Sequence, residues 1–214
     1  AFRRLPSDFP AWALPPQAIG CSREHARFPG TLSVEPNELI GLIEAAGEAL
    51  AQVGVRRLVL SNSHGGNRHV LETAGLRLRD ELGMLVVHAS WFRFPRPEHV
   101  DLPEGEWRHG LHGGAVETAM MMHLRADLVR GLQSAQAHSL GQELEETLRR
   151  VGPEGAASFS WLAGDLNPGG AVGDATLADG DMGARLVSHY GTVLAEVIED
   201  VRAFPLDRLA EDAT

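Results

Sequence analysis

The spacing of apolar residues changes several times along the chain, and each change predicts a new secondary-structure element. From Pro36 to Val53 apolar residues recur every three or four positions, which predicts an amphipathic helix. The segment Val55–Leu60, rich in valine and leucine, predicts a buried strand. A second amphipathic stripe from Leu71 to Leu82 predicts another helix, and Met84–Trp91 predicts the next strand. The segment Trp12–Gly20 is apolar but contains two prolines, so we expect a short or edge strand there.

This order of strand, helix, strand, helix and strand is typical of right-handed βαβ units and of a parallel sheet with helices on both faces. We therefore predict an α/β fold with a mostly parallel sheet. Phe92–Gly114 is interrupted by prolines and charges, which favours a long loop. Further helices are predicted at Ala115–Leu124, Ser134–Arg150 and Ala184–Val201. Because no linker-like stretch divides the chain, we expect a single domain over residues 1–214.

Charge and cysteine content narrow the class of partner. The net charge of −10 would repel a phosphate backbone or an anionic membrane, so neither is expected as a partner. Cys21 is the only cysteine, which excludes an intramolecular disulfide and favours the cytoplasm. No run approaches the roughly 20 apolar residues of a membrane span.

His64 is the first candidate for chemistry, because it follows a predicted strand at the edge where ligands collect in parallel sheets. A histidine at such a place is either a hydrogen-bonded structural residue or part of a site. Asn62 and Asn67 could orient its imidazole, and Gly65 and Gly66 leave room beside it for a ligand or a metal.

Glu117 is the second candidate. It lies in the first turn of a predicted helix, on the same side as the apolar residues Met121 and Leu124, so we expect it to be buried. A buried carboxylate needs a metal, a cation or a shared proton, and the alternatives for Glu117 are a metal ligand or a helix cap. His112 precedes it by five residues, and an imidazole beside such a site suits general acid–base catalysis.

Ser22 and Trp107 are candidate contacts for a substrate, while His25 is expected to be structural. The chain contains no G-x-S-x-G nucleophile elbow, and Cys21 has no neighbouring base pattern typical of a thiol enzyme. There is also no Walker A sequence, so binding of a nucleotide or phosphate at Gly65 and Gly66 is a third, weaker hypothesis.

Three ordered motifs resemble the creatininase (creatinine amidohydrolase) family. They are G-C-S-R-E-H-A-R-F-P-G-T, S-N-S-H-G-G-N and H-G-G-A-V-E-T, and the segment F-S-W-L-A-G-D-L-N-P-G-G is also similar to the family. The resemblance implies a three-layer α/β/α domain that hydrolyses a C–N amide bond of a small, sometimes cyclic, substrate. It also implies a homo-oligomer, commonly a hexamer, and a divalent metal: zinc, manganese or iron.

By position, the resemblance makes His64 a metal ligand, Glu117 a second ligand and His112 the catalytic acid–base residue. Two features depart from the family pattern. Gly65 and Gly66 stand where creatininase itself has an aromatic residue and a glutamate, so creatinine is not expected as the substrate.

The second departure concerns the family's E-Q-H-G-P-H-L-P element, which these 214 residues do not contain. Two ligands rarely hold a catalytic ion, so these residues alone are expected to bind little metal and to hydrolyse poorly. The leading hypothesis is a metal-dependent amidohydrolase. The alternative is a creatininase-like scaffold or binding subunit without catalytic activity.

Overall fold

The computed structural model describes residues 1–130 and 136–210, and its contacts form two compact units. The first unit comprises Ala1–Arg23, Leu32–Pro95 and the chain from Tyr190 onward. The second unit comprises Glu24–Thr31 and Arg96–His189. The single domain expected over residues 1–214 stays a prediction.

The first unit contains a parallel βαβ element. Strand β1 is Arg57–Asn62, helix α2 is Arg68–Leu82 and strand β2 is Leu85–Ser90. The two strands are parallel, with Arg57 opposite Leu85 and Asn62 opposite Ser90. This arrangement, with a helix joining parallel strands, confirms the predicted α/β class.

Helix α1, Pro36–Gln52, precedes β1 and begins where the sequence predicts. Pro36 occupies its first turn, where a missing N–H costs nothing. The carboxylate of Glu38 accepts a hydrogen bond from the backbone N–H of Glu35 (2.9 Å), as part of a capping box. Residues from α1 and α2 meet in a buried cluster with the loop before α1: Cys21, Leu39, Ile40, Val70 and Ala74.

Helix α2 ends at Gly83, whose φ of +62° places it in the left-handed region that favours glycine. The last helix, α7, spans Gly180–Ala203. Its final carbonyls are bound by a side chain of β1, because Arg57 donates hydrogen bonds to the carbonyl oxygens of Val201 (2.9 Å) and Phe204 (3.0 Å).

The second unit consists of short elements. Its helices are α3 (Glu104–His109), α4 (Ala115–Arg125), α5 (Leu140–Thr147) and α6 (Ala163–Leu166). Strand β3, Gln136–Ala137, is antiparallel to β6, Gly173–Asp174, and strand β4, Val151–Gly152, is parallel to β5, Ala157–Ser158. The α4 helix confirms the prediction made for Ala115–Leu124.

Several predicted elements differ from the structure. Trp12–Gly20 forms no strand, and Trp12 is 83% exposed; the proline pair removes two backbone donors there. The predicted loop Phe92–Gly114 contains α3, which starts directly after Pro103. His88, in the middle of the predicted strand Met84–Trp91, is exposed on β2.

The helix predicted over Ser134–Arg150 is also wrong in extent. Ser134 lies outside the described residues, and β3 occupies part of the remaining segment before α5 begins. Ser139 starts α5 with a capping box, in which its hydroxyl accepts from the backbone N–H of Gly141 (3.1 Å). The apolar spacing that predicted one helix therefore extends over two separate elements, strand β3 and helix α5.

Within the part of the chain that the structure describes, no helix combines the length and apolar character needed to cross a bilayer.

Candidate functional site

His64 lies in the first unit, two residues beyond the end of β1. Its Nε2 atom is 3.1 Å from the carbonyl oxygen of Cys21 and 2.9 Å from Oγ of Ser22. A carbonyl can only accept, so the contact with Cys21 assigns the proton to Nε2 of the neutral ring. In this tautomer the lone pair is on Nδ1.

The sequence predicted that Asn62 and Asn67 orient the imidazole of His64. In the structure their side chains bind backbone N–H groups near this histidine. Oδ1 of Asn62 accepts from the backbone N–H of His64 (3.1 Å), and Oδ1 of Asn67 accepts from the backbone N–H of Cys21 (2.8 Å). The two amides also contact each other at 3.3 Å. They therefore fix the loop that presents the histidine.

His112 and Glu117 lie together in the second unit. Nδ1 of His112 is 3.8 Å from Oε2 of Glu117, and the same oxygen accepts a hydrogen bond from the backbone N–H of Gly113 (2.7 Å). The backbone of His112 is joined to that of Val172 by two hydrogen bonds, of 3.2 and 2.6 Å. The predicted burial of Glu117 is wrong, because its side chain is 35% exposed at the start of α4.

His25 is the neighbour of His112 that the sequence interpretation missed. The two ring centroids are 4.1 Å apart and the rings are tilted by 39°. Nε2 of His25 is 3.6 Å from Oε1 of Glu24, and both of these side chains are largely buried. Two imidazoles thus lie side by side, each within 4 Å of a carboxylate. The adjacent Glu24 and His25 in the first motif were the sequence feature that could have indicated this pair.

Trp107, a predicted substrate contact, lies on α3 with the Arg96 guanidinium 5.2 Å from the centre of its indole ring. This is the geometry of a cation–π contact. Its role toward a substrate stays a prediction, as does that of Ser22.

The neighbours of Trp107 on α3 are buried polar residues that sequence reasoning did not select. Glu106 is 8% exposed and His109 is 6% exposed. Nε2 of His109 lies 3.0 Å from Oε2 of Glu145. The two atoms meet the distance of an ion pair but not the geometry of a hydrogen bond. The Glu145 carboxyl has a pKa below its ordinary value, because His109 first, and then Arg108, favours its ionised form.

A cavity of about 350 Å³ opens beside these residues in the second unit. Its walls combine polar and apolar surface, and they contain none of the site residues predicted from the sequence. The lining side chains that carry charge or hydrogen-bonding groups are Glu106, His109, Gln136, His138, Gln142 and Asp174.

A catalytic metal ion needs several donor side chains that converge on one point. Among residues 1–130 and 136–210, no group of three or more histidine, cysteine, aspartate or glutamate side chains is placed to hold one. His64 belongs to the first unit and Glu117 to the second, so their predicted pairing as ligands stays a prediction. The described donors do not by themselves make a complete zinc or manganese site.

The family profile of creatininase, described as creatinine amidohydrolase, matches residues 1–198. The chain belongs to the creatininase family, whose activity is of the amidohydrolase type. This confirms the family predicted from the three motifs.

Known relatives agree with this assignment. A mycofactocin precursor peptide peptidase of Mycobacterium ulcerans (strain Agy99) is 32% identical over 200 residues, which cover 92% of this chain and 67% of the relative. Two solved creatininase structures each cover 81% of this chain and 67% of their own, with a TM-score of 0.58. One is a Zn–Zn form of a creatininase variant, 26% identical, and the other is a manganese form, 27% identical.

Proposed function

We propose that this protein hydrolyses a peptide-type C–N amide bond and that His112, supported by Glu117, transfers the proton. The observation that carries the proposal is the 3.8 Å separation between Nδ1 of His112 and Oε2 of Glu117, in a chain of the creatininase family. The His112 side chain is 45% exposed, so a substrate can reach it.

Amide hydrolysis requires two proton movements. Water must lose a proton as its oxygen bonds to the carbonyl carbon, and the nitrogen must gain a proton as the C–N bond breaks. With Nδ1 of His112 directed at Glu117, its Nε2 is the atom that takes the first proton and returns it to the leaving nitrogen. The carboxylate orients the ring and stabilises the imidazolium formed between the two steps.

The peptide-type substrate is favoured by a relative that aligns with most of the chain. That relative is named a mycofactocin precursor peptide peptidase, and its alignment covers 92% of this chain at 32% identity. The small, possibly cyclic amide implied by the sequence resemblance is the competing substrate class. Gly65 and Gly66 weigh against creatinine itself, because creatininase has an aromatic residue and a glutamate at these positions.

Dependence on a divalent metal is part of the proposal, with zinc or manganese as the leading ions and iron as a third. Its support is the existence of Zn–Zn and manganese forms among the solved creatininases. His64 and Glu117 are the candidate ligands from the motif resemblance. Because the described donors do not complete a metal site, the proposed proton transfer involves only the side chains of His112 and Glu117.

The deciding experiment incubates the protein purified from its complete gene with a synthetic peptide library and, separately, with creatinine, and analyses products by mass spectrometry. We expect cleaved peptides with the wild type and loss of cleavage with His112→Asn. His123→Asn, an exposed histidine on α4, is the matched control and should cleave as the wild type does. Creatinine hydrolysis without peptide cleavage would contradict the peptide class.

Metal dependence is tested on the same protein by chelation and elemental analysis. We expect activity to fall after dialysis against a chelator and to return with Zn²⁺ or Mn²⁺. Activity that survives exhaustive chelation would contradict it. A stable homo-oligomer in light scattering with no hydrolysis of either substrate class would favour the scaffold instead.

A further inference from the structure

We propose that Glu106 is a positioning residue for the hydrolysis, which sets the places of His112 and Glu117 without touching the substrate. The inference rests on the proposed function, because it concerns the same two side chains. Glu106 lies on α3 and is 8% exposed. Burying a carboxylate is costly unless hydrogen bonds replace its water, so its partners show what it holds.

Both carboxylate oxygens of Glu106 accept from backbone amides. Oε1 accepts from Ala115 (2.7 Å) and Oε2 accepts from Asp174 (2.8 Å). Ala115 is the first residue of α4, where the N–H groups have no partner within the helix. A negative charge at that end is also favoured by the helix dipole. Glu106 therefore anchors the start of the helix that carries Glu117.

The same carboxylate joins the two segments that hold His112. Three residues before Ala115, His112 forms its backbone bridge to Val172, which lies two residues before Asp174. The bridge and the carboxylate together close a small ring of hydrogen bonds. If Ala115 moved away from Asp174, this ring of hydrogen bonds would break. His112, whose backbone is part of the ring, would then move.

Three glycines enclose the Glu106 carboxylate. A Cβ added at Gly110 would lie 2.5 Å from Oε1, and one at Gly173 would lie 2.8 Å from it. A Cβ at Gly114 would overlap the same oxygen. Atoms cannot approach this closely, so Gly110 and Gly114 of the H-G-L-H-G-G motif, together with Gly173, make room for the buried carboxylate.

The effect on the reaction follows from geometry. Misplacing a catalytic group by about 1 Å can cost about 10²-fold in rate. Glu106→Gln keeps the shape of the side chain but turns an NH₂ group toward one of the two backbone N–H donors. One hydrogen bond is lost, so we expect kcat to fall about 10- to 100-fold. KM should stay within about twofold, since both carboxylate oxygens of Glu106 are bound to backbone N–H groups and it acts through them.

The test compares Glu106→Gln with Glu104→Gln, an exposed glutamate on the same helix, by kinetics on the peptide substrate and by crystal structures. We expect Glu104→Gln to match the wild type. In Glu106→Gln we expect kcat to fall at nearly constant KM, and the separation of His112 Nδ1 from Glu117 Oε2 to depart from 3.8 Å. A folded variant with unchanged kcat and unchanged separation would overturn the inference.

If Glu106→Gln does not fold, Glu106→Asp keeps the charge on a side chain one methylene shorter, which reaches only one of the two amides. It should show the same fall in kcat to a smaller degree, and full activity in it would overturn the inference. The structural comparison is independent of activity. A wild type that hydrolyses nothing removes the proposed function, while the displacement of His112 in the variants still decides whether Glu106 positions it.

Discussion

Oε2 of Glu117 lies 3.8 Å from Nδ1 of His112 and 2.7 Å from the backbone nitrogen of Gly113, the residue that follows the histidine. One carboxylate oxygen thus contacts both the imidazole and the main chain beside it. Because the Gly113 N–H fixes the oxygen, the carboxylate cannot follow the ring when the ring rotates. The pair is organised before any substrate arrives.

His112→Asn should lower kcat by about 10²- to 10⁴-fold, the usual contribution of a general acid–base residue. Asparagine keeps a polar side chain of similar size but cannot carry a proton between water and the leaving nitrogen. Steady-state kinetics measure the effect, and circular dichroism checks that the variant is folded. A His112→Asn enzyme with more than about a tenth of wild-type kcat would exclude this histidine as the proton carrier.

Ser22→Ala tests the setting of His64. The variant loses the 2.9 Å contact between Ser22 Oγ and Nε2 of His64, while the contact of that nitrogen with the Cys21 carbonyl is kept. We expect the free energy of unfolding to fall by about 0.5–1.5 kcal/mol, the usual net value of one hydrogen bond. Urea denaturation measures it. Ser63→Ala, which removes an exposed hydroxyl beside His64, is the control, and an equal effect there would deny Ser22 a specific role.

Gly47→Ala and Gly41→Ala form a matched pair on α1. A Cβ at Gly47 would overlap the Cδ atoms of Leu78, which is 2% exposed and has little room to move. Overpacking of this kind costs about 1–3 kcal/mol. Among the described residues nothing lies within 4 Å of a Cβ at the exposed Gly41, so alanine there should stabilise the helix by about 0.5–1 kcal/mol. Urea denaturation of both variants should give shifts of opposite sign.

Glu145→Gln should lower stability in a pH-dependent way. Contact with His109, and then with Arg108, holds the pKa of Glu145 below its ordinary value of 4.5. The folded state therefore favours the ionised carboxylate, and the stabilisation is complete above the unfolded pKa. It is lost as the pH falls from 4.5 through the lower folded value.

Urea midpoints of the wild type and Glu145→Gln should accordingly differ at about pH 7 and converge below pH 4.5. Glu146→Gln replaces the adjacent exposed glutamate and should leave the midpoint unchanged at both pH values. A difference for Glu145→Gln that grows as the pH falls would contradict a lowered pKa of Glu145 in the folded state.

The sequence predicted the βαβ region well and the short elements poorly, for a physical reason. Helices α1 and α2 each bury one stripe against a shared core, so their period is visible in the residues. Helix α3 has six residues, and its buried Glu106 accepts hydrogen bonds from the backbone of Ala115 and Asp174, which an apolar pattern cannot detect. Tertiary hydrogen bonds, not hydrophobic spacing, determine that segment.

The sequence also predicted only part of the candidate site. The motifs located His64, His112 and Glu117, because histidines and carboxylates beside glycines stand out in a chain. They did not reveal that Ser22 is hydrogen-bonded to His64, or that His25 packs beside His112. Such contacts join residues far apart in sequence, and only the fold specifies them.

The glycines around Glu106 have a consequence for how this protein can vary. Gly114→Ala should be strongly destabilising by itself, since its Cβ would overlap the Glu106 carboxylate. In a Glu106→Ala background the nearest remaining atoms would be the Cα atoms of Gly110 and Gly173 at 3.3 Å, a tight but adjustable contact. A double-mutant cycle should therefore give a coupling energy of about 1–3 kcal/mol between positions 106 and 114. A substitution at either of these two positions therefore changes which side chains the other position can accommodate.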